Sequence, residues 1–344
     1  MTGPAFGPAT GIGSMPGGDA REAAKAVTGT FEDFPHLPEL PARGPGADMI
    51  GRTAGMLVEV YARVEPSGWR IGDRPGRDTK RARSWLGEDL DALEEFTQGY
   101  EGPLKVQAVG PWTLASTLEL RHGDRMLADL GAVRDLAESL TEGLKLHIAE
   151  MKKRVPRAAG LIVQLDEPAL PGVLKGTVPT ASGFGKLRAV EEAVARELLA
   201  GVLQAVRDAE AETAVHCCAP DVPIDLLRKA GADHISFDAT GITATGHGTA
   251  TARDEQLGEA IEAGVGLMLG VVPATDPARA ADVGVNRLLD KILSLTRLGF
   301  SPAQLAEATT ITPACGLAGA TPPWARQALI LAHRTADALA DKAS

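Results

Sequence analysis

The chain is poor in cysteine and contains no long apolar run. Its 344 residues include only three cysteines, Cys217, Cys218 and Cys315. An odd and small number of cysteines does not make a disulfide framework, which leaves metal binding and thiol chemistry as uses for these side chains. No stretch of about 18 uncharged apolar residues occurs, so the sequence predicts no membrane-spanning helix.

An excess of positive charge is missing as well. The chain carries 35 Lys and Arg against 45 Asp and Glu, which gives a formal net charge of -10. Nucleic acids and anionic membranes bind clustered basic side chains that neutralise phosphates, so neither is an expected partner. The N-terminus also lacks the basic and apolar segments of a signal peptide. We expect a cytoplasmic protein whose partner is a small molecule.

Short strand-like runs alternate with longer amphipathic segments along the chain. This order predicts an α/β fold in which helices cover a parallel sheet, either a (β/α)8 barrel or a doubly wound sheet. No linker divides the chain, so residues 1–344 are expected to form one domain. An eighth strand is expected near Met56 to Val60, or elsewhere between Gly29 and Gly102. Seven strands are predicted directly: Thr10–Ser14, Leu104–Val109, Gly160–Leu165, Thr213–Cys217, His234–Phe237, Gly266–Val271 and Thr309–Thr312.

Helices are predicted where apolar residues recur every three or four positions. This spacing occurs over residues 133–151, 187–206 and 285–293, and a further helix is expected to begin at Pro322. The segment from Phe34 to Gly46 contains four prolines and is predicted to be a rigid loop over one mouth of the barrel.

A histidine and a cysteine stand two residues apart at the end of a predicted strand. Because side chains alternate along a strand, His216 and Cys218 should lie on one side and Cys217 on the other. The next strand ends at Asp238, and the last one is followed by Cys315. The carboxyl ends of barrel strands meet at one rim, so these side chains should converge there as zinc ligands. Taken singly, each has a plainer explanation as a buried cysteine, a hydrogen-bonded histidine or a capping aspartate.

Two further loops are predicted at the same rim. Glycines around Ile12, Gly13 and Ser14 would let backbone N–H groups approach a carboxylate closely. Asp166 and Glu167 end another strand, where Asp166 could bind an ammonium group while Glu167 braces the loop; the alternative is a turn before a proline. Together the two loops would recognise an amino acid.

These motifs, in this order, resemble the catalytic C-terminal half of cobalamin-independent methionine synthase. The resemblance extends from about Gly11 to the final helix. It implies a single (β/α)8 barrel, zinc-dependent, that methylates the thiol of homocysteine in methionine biosynthesis. The matching segments are Ile12-Gly13-Ser14, Asp48-Met49-Ile50, Gly110-Pro111-Trp112-Thr113, Gln164-Leu165-Asp166-Glu167-Pro168, His216-Cys217-Cys218 and Pro313-Ala314-Cys315-Gly316-Leu317.

The resemblance also implies roles for individual residues. The implied zinc ligands are His216, Cys218, Asp238 and Cys315. The implied substrate-binding residues are Ile12, Gly13, Ser14, Asp48 and Asp166, and Asp166 also counts as catalytic.

The chain departs from the family pattern at three places. Asp238 stands where the family has a glutamate ligand. The family's Glu-x-Glu-Arg element is replaced by residues 43–47, so one acid expected to hold the amino group is missing. The histidine of the family's Asp-Ile-His-Ser-Pro element has no counterpart near residues 271–274; His247 could supply a proton instead, or it could be a surface histidine.

Two methyl donors are compatible with the sequence. Trp112 could form a flat wall for the ring of the donor, or it could belong to the core. No counterpart of the family's folate-binding N-terminal half is found, so the donor could be 5-methyltetrahydrofolate or methylcobalamin, the latter carried by a corrinoid protein partner.

Three other functions also stay open. One is corrinoid-linked methyl transfer to another small thiol. Another is decarboxylation of the uroporphyrinogen type, in which Arg21 and Arg43 would bind propionates. The third is a non-catalytic module that binds zinc or a corrinoid.

Overall fold

A six-stranded parallel sheet forms most of the barrel wall. The computed structural model describes residues 7–242, 252–279 and 283–344. Strands β3 to β8 pair in chain order and confirm six of the predicted strands. A separate antiparallel hairpin, β1–β2, lies outside this sheet and was not predicted from the sequence. The strands are β1 Tyr61–Glu65, β2 Gly68–Gly72, β3 Pro103–Val109, β4 Gly160–Asp166, β5 Glu212–Cys217, β6 His234–Asp238, β7 Gly266–Val272 and β8 Thr309–Pro313.

Two short extended segments, residues 8–15 and 35–39, close the sheet into a barrel. In the first segment the Thr10 N–H donates to the Ile311 carbonyl of β8 at 3.1 Å. The Glu39 N–H in turn donates to the Gly13 carbonyl at 3.1 Å, which joins the two segments. The Leu37 N–H donates to the carbonyl of Lys105 in β3 at 2.9 Å. The chain therefore forms a (β/α)8 barrel with two short strands, and the doubly wound alternative is excluded.

The eighth strand lies at residues 35–39, within the wider interval predicted for it. The alternative position is wrong, because Met56 ends a helix. The prediction that 34–46 is a loop is also wrong for 35–39. Pro35 and Pro38 have no N–H to donate and so hide the strand pattern, but the pairing of this short strand uses the N–H groups of Leu37 and Glu39.

The helices pack around the barrel through apolar stripes. The stripe predicted over 133–151 is buried along α5, and the helices predicted at 285–293 and from Pro322 are confirmed as α10 and α12. The helix predicted over 187–206 begins only at Glu192, because the Leu187 and Val190 N–H groups donate to Val178 and Val173 instead. The helices are α1 Ala20–Thr28, α2 Met49–Met56, α3 Arg77–Phe96, α4 Pro111–Thr117, α5 Leu130–Arg154, α6 Leu170–Lys175, α7 Glu192–Asp208, α8 Ile224–Lys229, α9 Ala252–Glu262, α10 Val285–Leu293, α11 Pro302–Ala308 and α12 Pro322–Ala343.

No helix in the described part of the chain has the length and apolar character needed to cross a membrane.

Candidate active site

Three soft donor side chains meet at the carboxyl rim of the barrel. His216 lies at the end of β5, Cys218 follows it, and Cys315 follows β8. The candidate ligand atoms of these three residues all lie within 4.8 Å of one another, and the two Sγ atoms are 3.0 Å apart. His216 is buried, whereas both cysteines are partly exposed. We call these three residues the soft cluster.

The ring of His216 is oriented by a hydrogen bond on its far side. Its Nδ1 shares a hydrogen bond with the Ser236 hydroxyl of β6 at 2.8 Å. Its Nε2 is buried and has no hydrogen-bond partner among the described residues. A buried polar atom without a partner is costly unless another group binds it. A metal ligand held through its second nitrogen has this arrangement, so His216 fits a metal site.

The pKa values of the two cysteine thiols are shifted in opposite directions. The hydrogen bond to Cys218, together with the nearby His216 ring, lowers the pKa of Cys315 to about 4 against the opposing effect of burial. The same hydrogen bond and burial raise the pKa of Cys218. Two sulfurs and one imidazole nitrogen form a donor set typical of zinc, and three protein ligands leave a position for substrate. The residues of the soft cluster therefore fit zinc.

Asp238 does not join the soft cluster. Its Oδ1 accepts hydrogen bonds from the backbone N–H and the hydroxyl of Thr240, at 2.8 and 2.6 Å. Cys217 is fully buried in the main apolar core, as its position in the strand predicted. His247 lies outside the described residues, so its role in proton transfer stays a prediction.

The loop with Gly13 and Ser14 packs directly on the loop that carries Cys315. The Leu317 N–H donates to the Ser14 carbonyl at 2.7 Å, and a Cβ placed on Gly316 would lie 2.0 Å from the Ser14 hydroxyl oxygen. Neither the Gly13 nor the Ser14 N–H donates a hydrogen bond to any described protein atom. These two amides are therefore available to an anion beside the soft cluster.

Asp166 connects this region to the soft cluster. It is the last residue of β4, is buried, and stands opposite His216 in the parallel pairing with β5. Gln164 donates to its Oδ1 at 2.7 Å. Burial raises the pKa of Asp166 to about 6, whereas the charges of His216 and Lys105 act in the opposite direction. A buried carboxylate near the cluster can bind a cationic group of a substrate.

Glu39 is a second acid that the sequence did not reveal. It ends the strand at 35–39, is 6% exposed, and its Oε1 lies 3.5 Å from Nε of Arg52 in α2. Burial raises the pKa of Glu39 to about 7, and the charge of Asp166 raises it further while Arg52 lowers it. Glu39 thus places a second buried carboxyl group near Asp166, on the strand at 35–39. The sequence Leu37-Pro38-Glu39 contains this acid, but its prolines conceal the strand that positions it.

Asp48 binds backbone N–H groups at the start of α2. Its two carboxylate oxygens accept hydrogen bonds from the N–H groups of Gly51 and Gly46, at 2.9 and 2.8 Å, and it caps the N-terminus of α2. The structure thus gives Asp48 a helix-capping role, and its part in substrate binding stays a prediction.

Trp112 belongs to the core and not to the surface of the site. It is 0% exposed, and its indole N–H donates to the Ala195 carbonyl of α7 at 3.0 Å. The prediction of a flat wall for the methyl donor is wrong, because no face of the ring is accessible. Glu167 accepts from the Trp112 N–H, the Thr113 N–H and the Thr113 hydroxyl, and so binds the first turn of α4.

The fold and the soft cluster together define a barrel enzyme with a candidate metal centre at its carboxyl rim. The family model of the cobalamin-independent synthase catalytic domain matches residues 7–338. The chain belongs to this family, which indicates an enzyme of the methionine synthase type. Cobalamin independence of the family conflicts with the predicted alternative of a methylcobalamin donor on a corrinoid protein.

A similar solved structure supports the fold. A B12-independent methionine synthase from Shewanella sp. W3-18-1, in complex with selenomethionine, is 15% identical with a TM-score of 0.56, and the match covers 98% of each chain. A GH138 enzyme targeting pectin rhamnogalacturonan II is 11% identical with a TM-score of 0.48, and the match covers 97% of this chain and 39% of the other. A search of curated protein sequences gives no significant match.

Proposed function

We propose that this protein is a zinc-dependent methyltransferase that forms methionine from homocysteine, with 5-methyltetrahydrofolate as the methyl donor. The observation that carries the proposal is the placement of the soft cluster beside two free amides and two buried acids. One end suits a thiol, and the other suits an α-amino carboxylate. Homocysteine combines these groups in one small molecule.

The soft cluster would hold the metal and bind the thiol end of the substrate. His216, Cys218 and Cys315 are the proposed ligands, and Ser236 fixes the ring of His216. A bound zinc ion would ionise a coordinating thiol at neutral pH, where a free thiol of pKa about 8.5 is mostly protonated. The partial exposure of both cysteines leaves the approach to the cluster open from the rim.

The amino-acid end orients the substrate. The Gly13 and Ser14 N–H groups would donate to the substrate carboxylate, and Asp166 and Glu39 would bind its ammonium group. Holding both ends fixes the position of the sulfur, and orientation of this kind supplies a large part of the acceleration in a displacement reaction. The acids lie in a buried environment where their interaction with a cation is stronger than in water.

A decarboxylase of the uroporphyrinogen type is not favoured. Its two candidate arginines do not converge on the site. Arg21 is exposed on α1 and pairs with Glu95 at 2.5 Å, whereas Arg43 is bound to Asp89 at 2.6 Å. Methyl transfer to a thiol without amino and carboxylate groups would leave the amino-acid end without a use.

The direct test is an assay of zinc-loaded protein with methyl-labelled 5-methyltetrahydrofolate and homocysteine. Labelled methionine, measured by mass spectrometry and lost on zinc removal, is the expected product. A matched acceptor, 4-mercaptobutyrate, lacks only the amino group and should react more slowly. Absence of labelled methionine, or transfer from methylcobalamin alone, would contradict the proposal.

A further inference from the structure

A lysine lies buried inside the barrel beneath the amino-acid end of the site. Lys105 of β3 is 0% exposed. Its ammonium group donates to the Ile12 carbonyl at 2.8 Å, to Gln164 Oε1 at 2.8 Å and to Gln107 Oε1 at 3.2 Å. All three N–H groups of the ammonium are therefore used. Burial lowers the pKa of Lys105 to about 7, against the opposing charges of Asp166 and Glu39, so the three acceptors offset only part of the cost of burying its charge.

Each of these contacts leads within two residues to a group that would bind the substrate. Ile12 precedes the free amides of Gly13 and Ser14. The Gln164 Nε2 group donates both to the Ile12 carbonyl at 3.0 Å and to Asp166 Oδ1 at 2.7 Å. One side chain thus joins the carboxylate-binding loop to the ammonium-binding acid.

The third contact, to Gln107, leads to the short strand that carries Glu39. Gln107 Nε2 donates to the Leu37 carbonyl at 2.7 Å, and Leu37 stands two residues before Glu39 on the same short strand. The segments 8–15 and 35–39 are the two least regular strands of the barrel. Lys105 therefore fixes the relative positions of strands whose own backbone pairing is sparse.

We propose that Lys105 is a positioning residue that sets the distance between the carboxylate-binding amides at Gly13 and Ser14 and the acids Asp166 and Glu39. This proposal rests on the proposed amino-acid site and names the residue that determines its specificity. The ammonium also favours the ionised form of both acids, since its charge lowers the pKa of each. Without Lys105, the spacing between the amides and the acids would fit the carboxylate and ammonium groups of the substrate less well. The soft cluster would be unchanged.

Selectivity among acceptors separates positioning from a general structural role. Homocysteine, 4-mercaptobutyrate and 3-mercaptopropylamine share the thiol but differ in the presence of the carboxylate and the amino group. A lysine that only stabilises the fold would, when removed, lower activity toward all three by the same factor. A positioning lysine would, when removed, lower activity toward homocysteine most.

The experiment compares wild-type protein with Lys105→Met, and with Lys145→Met as a control on the exposed face of α5. Lys105→Met should raise the KM for homocysteine by about tenfold or more, the effect of one charged hydrogen bond, and change kcat and zinc content little. Its preference for homocysteine over both analogues should fall by a similar factor. An unchanged preference would overturn the proposal.

Two additions keep the outcome interpretable. Gln164→Leu removes the link between Ile12 and Asp166 and should shift KM and preference in the same direction, even if Lys105→Met does not fold. Lys105→Arg, which keeps the charge, should retain part of the preference.

Calorimetric binding of methionine gives a readout independent of methyl transfer. A wild-type protein that binds methionine in a Lys105-dependent way but makes none would refute the proposed reaction and keep the positioning role.

Discussion

The two ends of the candidate site are held in different ways. In the soft cluster, Cys218 and Cys315 are partly exposed and His216 Nε2 has no partner among the described residues. At the amino-acid end, Asp166 and Glu39 are buried; Gln164 donates a hydrogen bond to Asp166, and Glu39 lies beside the guanidinium of Arg52. Ligands that bind a metal and admit a substrate must keep lone pairs free. Groups that recognise a substrate of fixed shape work best when their surroundings hold them rigidly.

The two ends also come from different parts of the chain. Segments 8–15 and 35–39 and strand β4 carry the amino-acid end, whereas β5 and β8 carry the soft cluster. Closure of the barrel between β8 and segment 8–15 brings them together, and the hydrogen bond from Leu317 to Ser14 joins the two loops directly. Variants at each end should therefore give separable effects.

The largest effect is expected at the soft cluster. Cys218→Ser removes a sulfur ligand and should lower both zinc content and methyl transfer, the latter by about 1,000-fold, which corresponds to about 4 kcal/mol of transition-state stabilisation. Cys217→Ser is the matched control, because the neighbouring thiol is buried in the apolar core. Zinc content by atomic emission and initial rates provide the measurement. Equal loss of zinc in both variants would contradict the assignment.

A smaller effect, dependent on pH, is expected at the amino-acid end. Burial raises the pKa of Glu39 to about 7, so the free protein holds it largely as a neutral acid at lower pH. Only the carboxylate attracts an ammonium group, so affinity should fall as pH drops through this value, by up to about tenfold per unit. Methionine is the ligand of choice because it has no thiol to titrate.

Calorimetry at a series of pH values measures this dependence, with Glu39→Gln as the comparison. The variant should bind methionine weakly and without the step near the pKa of Glu39. A lower step from Asp166, whose pKa is raised to about 6 by burial, should remain. An unaltered step in Glu39→Gln would show that another group is responsible.

Replacing Asp238 should affect zinc content less than replacing a ligand of the soft cluster. Because its Oδ1 already accepts two hydrogen bonds from Thr240, Asp238→Asn should retain zinc and lower stability by about 1 kcal/mol. Metal analysis and thermal unfolding test this. Loss of zinc comparable to that in Cys218→Ser would identify Asp238 as a fourth ligand.

The smallest effect on the reaction is expected at Trp112. Trp112→Phe removes the hydrogen bond from the indole to the Ala195 carbonyl and part of a fully buried ring, and should lower the free energy of unfolding by about 1–3 kcal/mol. The KM for 5-methyltetrahydrofolate should stay within about twofold of wild type, because the ring is fully buried. A large, selective rise in that KM would mean that the donor reaches the ring.

Sequence patterns predicted the regular part of the fold well. Strands β3 to β8 are apolar runs bounded by turn residues, and the rim position of His216 and Cys218 follows from strand alternation alone. The short strand at 35–39 could not be predicted in this way. Its prolines suppress the alternating pattern, and its pairing depends on partners at Gly13 and Lys105 that are distant in sequence.

The hydrogen-bond partners and packing neighbours of individual side chains were the other part of the site that the sequence could not predict. Asp238 and Asp48 both occupy positions suited to ligands, but each is bound to nearby backbone N–H groups. Trp112 follows a strand at the rim, yet helix α7 covers it. The hidden acid Glu39 shows the reverse case, since its function depends on a strand that the local sequence conceals. In each case tertiary contacts decide which of several local options is used.

The number of sulfur atoms around zinc, measured by X-ray absorption with and without homocysteine, tests the central claim most directly. The account predicts two sulfurs from Cys218 and Cys315 in the resting protein, one more when homocysteine is added, and no change with a ligand such as norleucine that lacks sulfur. A sulfur count that stays the same on adding saturating homocysteine would contradict thiol binding at the soft cluster.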